Sequence, residues 1–247
     1  MLKYILLGII QGFTEFFPVS SSGHLVLAQK LLGISGEEIS LSVVLHLGTV
    51  LSMLVFFHKD IIKALRSLRT LALIMVVTLI TGIIGVSGKH FFEKLFTSPR
   101  LVSFALIFTG IILIAIRKFE KGRRENLFVS DAAALGLAQG LAIVPGISRA
   151  GMTISALLFM KVDRNTAFNF SFLASIPAVI GAAVLEAKEI GFALQGELKY
   201  FAAGFIFSFL FGLLALWLLK IILHRAKFHY FGYYCIFIAI VSLLLIR

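Results

Sequence analysis

Long apolar runs separated by short basic interruptions make up most of the chain. Six runs are long and clean enough to predict transmembrane helices: 41–57, 71–88, 101–116, 167–185, 200–219 and 229–246. A helix needs about 20 mostly apolar residues to cross ~30 Å of hydrocarbon. Residues 4–32 and 129–160 follow another pattern, apolar at both ends but interrupted by Pro18 and Gly23, or by Pro145, Gly146 and Gly151, among clustered hydroxyls. Pro and Gly end helices, and each remaining arm of about 10–14 residues is too short to span. Each region therefore predicts a re-entrant hairpin that dips in and returns to the same side. Irregular backbone at that depth survives only when buried in protein or lining a polar cavity.

A shift of 128 positions carries Gln11-Gly12 onto Gln139-Gly140, Ser20 onto Ser148 and Gly23 onto Gly151. It also carries the spans starting near 41, 71 and 101 onto segments starting near 169, 199 and 229. Each half, about 1–120 and 129–247, thus holds one hairpin and three crossings. Three is odd, so the second half enters from the opposite face, which is an inverted-topology repeat within a single transmembrane domain, 1–247. The expected fold class is all-α integral membrane.

Composition agrees: 60% hydrophobic residues, 14% charged and a mean hydropathy of +1.03 exclude an ordinary soluble domain. Met1–Ile10 could pass for a signal peptide, but no small-residue cleavage site follows. The net charge of +11 sits in short loops, as the positive-inside rule predicts, and does not indicate nucleic-acid binding. Loops 59–69, 117–124, 161–164 and 220–227 share one face and hold 14 Lys and Arg, against 8 on the other. The richer face should be cytoplasmic, with both termini and the mouth of the first hairpin external. The single Cys235 permits no intrachain disulfide and no thiolate metal cluster.

Few ionisable groups fall at membrane depth: Glu15, His24, His46 and Arg149, with Asp131 and Glu186 nearer segment ends. Intramembrane charges are costly, pair with one another and usually mark function. Glu15 and Arg149 are expected to face each other. A purely structural staple would not need Ser20, Ser21, Ser22, Ser148, Thr153 and His24 around it. Ser20–Ser22 before Gly23, and Ser148 before Gly151, read as helix N-termini converging from opposite faces, where free N–H groups and positive dipole ends attract an anion. Gly12, Gly23, Gly140, Gly146 and Gly151 would let backbone approach that anion, although helix packing explains glycines equally well. Arg149 offers a planar fork for phosphate oxygens. Glu15 would repel phosphate without a cation, and Mg²⁺, with Ca²⁺ as the other candidate, resolves the conflict; Gln11, four residues earlier on the same helix face, could add a neutral oxygen ligand. His24 is suited to take or give a proton. His46 has no such neighbours in sequence and reads as a packed or polar-lining residue.

The stretch Gln11–His24 resembles the glutamate-bearing signature of the integral-membrane undecaprenyl-pyrophosphate phosphatases, and Pro145–Ile154 resembles their arginine-bearing signature. The resemblance covers the whole chain. It implies removal of the terminal phosphate from polyprenyl pyrophosphate, recycling the lipid carrier of cell-wall synthesis in the bacterial plasma membrane, and tolerance to bacitracin. It also implies functional roles for Glu15, Ser21, His24 and Arg149. Three positions depart from the pattern: Gln11 where a second glutamate is frequent, Ser22 for threonine, and Ala150 where a serine is common. The membrane phosphatases with a Pro-Ser-Gly-His signature are set aside, because the Arg149 region lacks their downstream histidine and aspartate.

The expected reaction has Ser21 attack the terminal phosphorus, with His24 as acid and base, Arg149 and the helix ends holding the diphosphate, and the cation on Glu15; His24 or a metal-bound water are the other candidate nucleophiles. Its partners are a polyprenyl pyrophosphate and the bilayer, and a homodimer is compatible with it. A lipid or anion carrier with the same inverted-repeat architecture, and a non-catalytic scaffold, are the rival readings.

Overall fold

A computed structural model describes residues 1–32, 38–96, 99–119, 122, 124–189 and 198–245. The side chains of Lys30, Lys89, Lys94 and Lys188, and residues Lys121, Arg123 and Arg247, on which the charge reading partly rests, lie outside the described set, as does the side chain of Glu186. Among the described residues eleven α-helices follow one another: α1 Leu2–Phe16, α2 Ser21–Leu32, α3 Glu38–Phe56, α4 His58–Leu65, α5 Leu68–Phe96, α6 Pro99–Ala115, α7 Val129–Leu141, α8 Arg149–Phe159, α9 Arg164–Glu189, α10 Leu198–His224 and α11 Tyr230–Leu245. Among the described residues the extended pairing is one isolated bridge, Arg124 to Val162. Leu68–Gly88, Arg100–Lys118 and Lys199–His224 are each long and apolar enough to cross a membrane, and α3 with α4, bent by 70°, makes a fourth candidate. The molecule is an all-helical, multi-pass membrane protein.

The stretch 59–69, expected as loop, instead contains α4 and the start of α5. Its apolar positions Ile61, Ile62 and Leu65 recur at helical spacing among Lys59, Asp60 and Lys63. A search for continuous apolar runs passes over such an amphipathic turn of chain.

Both breaks have local causes. Pro18 forces Phe17 into an extended conformation (φ −66°, ψ 146°), which ends α1. Ser20 then turns the chain at φ 66°, and α2 begins. In the second hairpin Gly146 supplies φ 92° where the chain passes the carbonyl of Val102 too closely to admit a Cβ. Ser148 caps α8 by accepting the N–H of Gly151.

Each broken helix pair is held by a helix distant along the chain. α1 packs on α10 and α7 packs on α5; α3 touches α10 and α9, α5 touches α9, and α6 pairs with α11. A Cβ on Gly12 would lie 2.8 Å from the backbone of Gly212 and Ser208, so α1 and α10 meet nearly backbone to backbone. Beneath this seam Phe16, Phe57, Phe168 and Phe172 are fully buried, with Phe172 edge-on to Phe16 at 5.8 Å and stacked on Phe57 at 5.5 Å. These rings form the floor of the site.

Outside the spans, Arg124 ties the entry of the second hairpin to its exit. It donates to Asp131 Oδ2 at 2.7 Å and Oδ1 at 2.8 Å, and to the carbonyl of Met160 at 3.0 Å. Burial alone would raise the pKa of Asp131, but the guanidinium fork and the N–H of Phe128 outweigh it and hold the carboxyl below its ordinary value.

Candidate active site

Gln11 and Glu15 lie one turn apart on α1, and Glu15 faces α2, α3 and α8. Each oxygen of Glu15 has its own set of partners. Oε1 accepts a hydrogen bond from Arg149 Nη2 at 2.5 Å. Oε2 accepts from Ser21 Oγ at 2.8 Å and from Gln11 Nε2 at 3.2 Å, and His46 Nε2 stands 3.6 Å away. Arg149 turns its other terminal nitrogen to Ser175 Oγ at 2.8 Å and sits 5.9 Å from the Phe172 ring centre. The Glu15 side chain is 10% exposed, that of Arg149 15% and that of His46 30%, so the pair is sheltered but not sealed.

Ser21 is the first residue of α2, and the left-handed turn at Ser20 aims its hydroxyl across the break at Glu15. His24 has different partners. Its Nδ1 lies 2.8 Å from the carbonyl of Ser20, which can only accept, so Nδ1 carries the hydrogen and Nε2 of the neutral ring holds the lone pair. That nitrogen meets Tyr234 Oη at 2.9 Å. The proton of Ser21 therefore faces Glu15, not His24. Ser20 and Ser22 share a hydrogen bond at 3.2 Å at the same helix start.

The other candidate residues frame the start of α8. The hydroxyl of Ser148 is taken by Gly151, and its N–H donates to Thr109 Oγ1 at 3.2 Å. Thr153 bonds the carbonyl of Arg149 at 2.8 Å and Ser171 Oγ at 2.6 Å, which fixes the turn that carries the guanidinium. A Cβ on Gly151 would come within 3.2 Å of Pro18, and one on Gly23 within 3.3 Å of Val102. Gly151 is thus where the two broken hairpins touch.

Three partners escaped the sequence reading. His46, read there as packed or polar-lining, stands beside Glu15: its Nδ1 donates to the carbonyl of Ser42 at 2.8 Å, which turns Nε2 toward the carboxylate. Ser175 and Tyr234 lie on spans whose local sequence is otherwise apolar. A faint signal existed for two of them, since the 128-residue shift places His46 within one position of Ser175.

Residues 4–241 match the family model described as Bacitracin resistance protein BacA. The chain is 42% identical over 251 residues to an undecaprenyl-diphosphatase of Halothermothrix orenii, covering 98% of this chain and 97% of that protein. It is 40% identical over 249 residues to one of Carboxydothermus hydrogenoformans, covering 98% and 95%. It is 42% identical over 242 residues to one of Thermotoga maritima, covering 97% and 98%.

Proposed function

The chain belongs to the bacitracin resistance protein BacA family, and from that membership we propose that it hydrolyses undecaprenyl pyrophosphate to the monophosphate and inorganic phosphate, recycling the lipid carrier of cell-wall synthesis. The observation that carries the site assignment is the contact of Glu15 with both Ser21 and Arg149 at the junction of two broken helices.

The chemistry follows from what each group can do. Phosphate oxygens of the substrate draw the Arg149 fork away from Glu15 Oε1, leaving the carboxylate a stronger base toward Ser21. Ser21 Oγ gives its proton to Glu15 and bonds the terminal phosphorus. The bond from that phosphorus to the bridging oxygen breaks, and polyprenyl monophosphate leaves with the electron pair. Water then attacks the Ser21 phosphoester, its proton passing to His24 as the final acceptor, while Glu15 returns its proton to the departing Ser21 oxygen. Ser20, Ser22 and the N–H groups up to Gly23 cradle phosphate at the start of α2. Gly146, Ser148, Gly151 and Thr153 hold the start of α8 so that Arg149 reaches the same point.

A divalent cation fits beside this set. Gln11 Oε1 is buried with no hydrogen-bond partner, an orphan acceptor one turn from Glu15. Among the described residues no three of His, Cys, Asp and Glu form a metal-binding group. Glu15 and Gln11 would therefore share the ion with substrate phosphate oxygens, the usual manner of Mg²⁺. Bound there, it would neutralise the phosphate charge that otherwise opposes the carboxylate.

Six crossings and two re-entrant hairpins in one inverted-repeat domain are supported by paired packing: α1 on α10 echoes α7 on α5, and α3 on α10 echoes α9 on α5. The excess of basic residues on one face supports external termini, and the likeness to bacterial undecaprenyl-diphosphatases supports a plasma-membrane location.

Purified protein given polyprenyl pyrophosphate should release inorganic phosphate, and Glu15→Ala and Arg149→Ala should abolish release. Binding without release by the wild-type protein would return the carrier reading.

A further inference from the structure

Tyr234 reaches His24 from α11, 210 residues along the chain. The two rings stack with centroids 5.7 Å apart and planes 8° from parallel. Both nitrogens of His24 are committed, Nδ1 to the carbonyl of Ser20 and Nε2 to Tyr234 Oη. The second anchor matters because the first is borne by Ser20, itself in a left-handed turn, and because rotation of an imidazole about χ2 is soft and roughly two-fold. A phenol suits the task. Its hydroxyl donates to Nε2 when the ring is neutral and, by turning its hydrogen, accepts from Nε2–H when the ring is protonated. Tyr234 also lines a cavity of about 710 Å³ with Phe13, Phe17, Tyr230, Phe231 and Lys227, so the pair stands between that cavity and the start of α2.

We propose that Tyr234 holds His24 and relays to it: its hydroxyl fills the lone pair of Nε2, so the proton of the attacking water enters Oη as Oη passes its own proton to Nε2 during hydrolysis of the Ser21 phosphoester. This rests on the functional reading above, and the experiment separates the two. With detergent-solubilised full-length protein and polyprenyl pyrophosphate, Tyr234→Phe keeps the stacked ring and removes the hydroxyl. Turnover should fall roughly tenfold, a fraction of the ~10²–10⁴ that acid–base assistance contributes. KM should hold, and the limb of the pH–rate profile that disappears in His24→Gln should move along the pH axis in Tyr234→Phe. In the His24→Gln background Tyr234→Phe should cost nothing more. Wild-type turnover in Tyr234→Phe, a profile that is only scaled, or losses that multiply in the double variant would each overturn the proposal. A further readout needs no variant: side-chain ¹⁵N NMR of the wild-type protein should show His24 as the Nδ1–H tautomer, and the Nε2–H tautomer would overturn it too. If the wild-type protein releases no phosphate, the functional reading fails; if it is active and Tyr234→Phe is silent, Tyr234 alone does.

Discussion

Glu15 and Arg149 are separated by 134 positions, lie on different hairpins, and place Oε1 and Nη2 2.5 Å apart. Each is the partner that makes the other tolerable at low exposure. Removing one leaves an uncompensated charge, which costs about 3–5 kcal/mol when the pair is buried. Glu15→Gln or Arg149→Gln alone should lower stability by about that amount, and the double variant should cost clearly less than the two singles combined. Unfolding midpoints in detergent measure the cycle. Strict additivity would show that the contact is incidental to the fold.

Ser21 presents its hydroxyl to Glu15 Oε2 at 2.8 Å, with no bond to His24. A nucleophile so placed leaves a covalent trace. Acid quenching during turnover, followed by mass spectrometry, should find phosphate on Ser21 of the wild-type protein. Ser21→Ala should lose roughly 10³-fold or more in turnover, since groups that act as one unit are not replaceable singly. Absence of the phosphopeptide together with residual fast turnover in Ser21→Ala would shift attack to water.

How much of this was legible depends on how local the physical cause is. The hairpin regions expected at 4–32 and 129–160 correspond to α1–α2 and α7–α8 at 2–32 and 129–159, because Pro18, Gly146 and the serine starts act on the backbone where they stand. The approach of Glu15 to Arg149 was legible for another reason: few charges fall at depth, and each needs a partner. His46, Ser175 and Tyr234 were not, because their roles come from helices that meet only in the fold. α4 was hidden by its mixed composition, and the glycines proved ambiguous until their neighbours were known. Gly12 and Gly146 serve close packing, a use that no spacing rule distinguishes from ligand approach.

Gly12 offers a test of how far packing governs the site. It sits three residues before Glu15, and its missing Cβ is what allows α1 to lie against Gly212 and Ser208. Gly12→Val should push α1 off α10, costing about 1–3 kcal/mol as overpacking does in well-packed cores. Because Gln11 and Glu15 ride on the same helix, activity should fall even at temperatures where the variant is fully folded. A variant with wild-type turnover but lowered unfolding temperature would show that the site tolerates the shift.

The Arg124–Asp131 anchor makes a prediction about acid. Asp131 is fully buried, and its carboxyl is held below its ordinary value. The folded state therefore binds its proton less readily than the unfolded chain does. Stability from this group is present above the ordinary carboxylate value, about pH 4, and drains away as the pH falls through the lower folded value. Asp131→Asn keeps the shape but loses the charge and one guanidinium partner. It should cost about 1.5–3 kcal/mol at neutral pH, the range for hydrogen bonds to charged groups. The difference between wild type and variant should shrink below about pH 4, as the wild-type carboxyl itself becomes neutral. Since Arg124 also bonds the carbonyl of Met160, the loosened segment lies at the end of α8 away from Arg149, and phosphate release at neutral pH should change little. Unfolding midpoints at several pH values, beside a phosphate-release assay, measure both. A variant that unfolds normally yet loses activity would mean that this anchor, and not the packing of α8 on α7 and α9, sets the reach of Arg149.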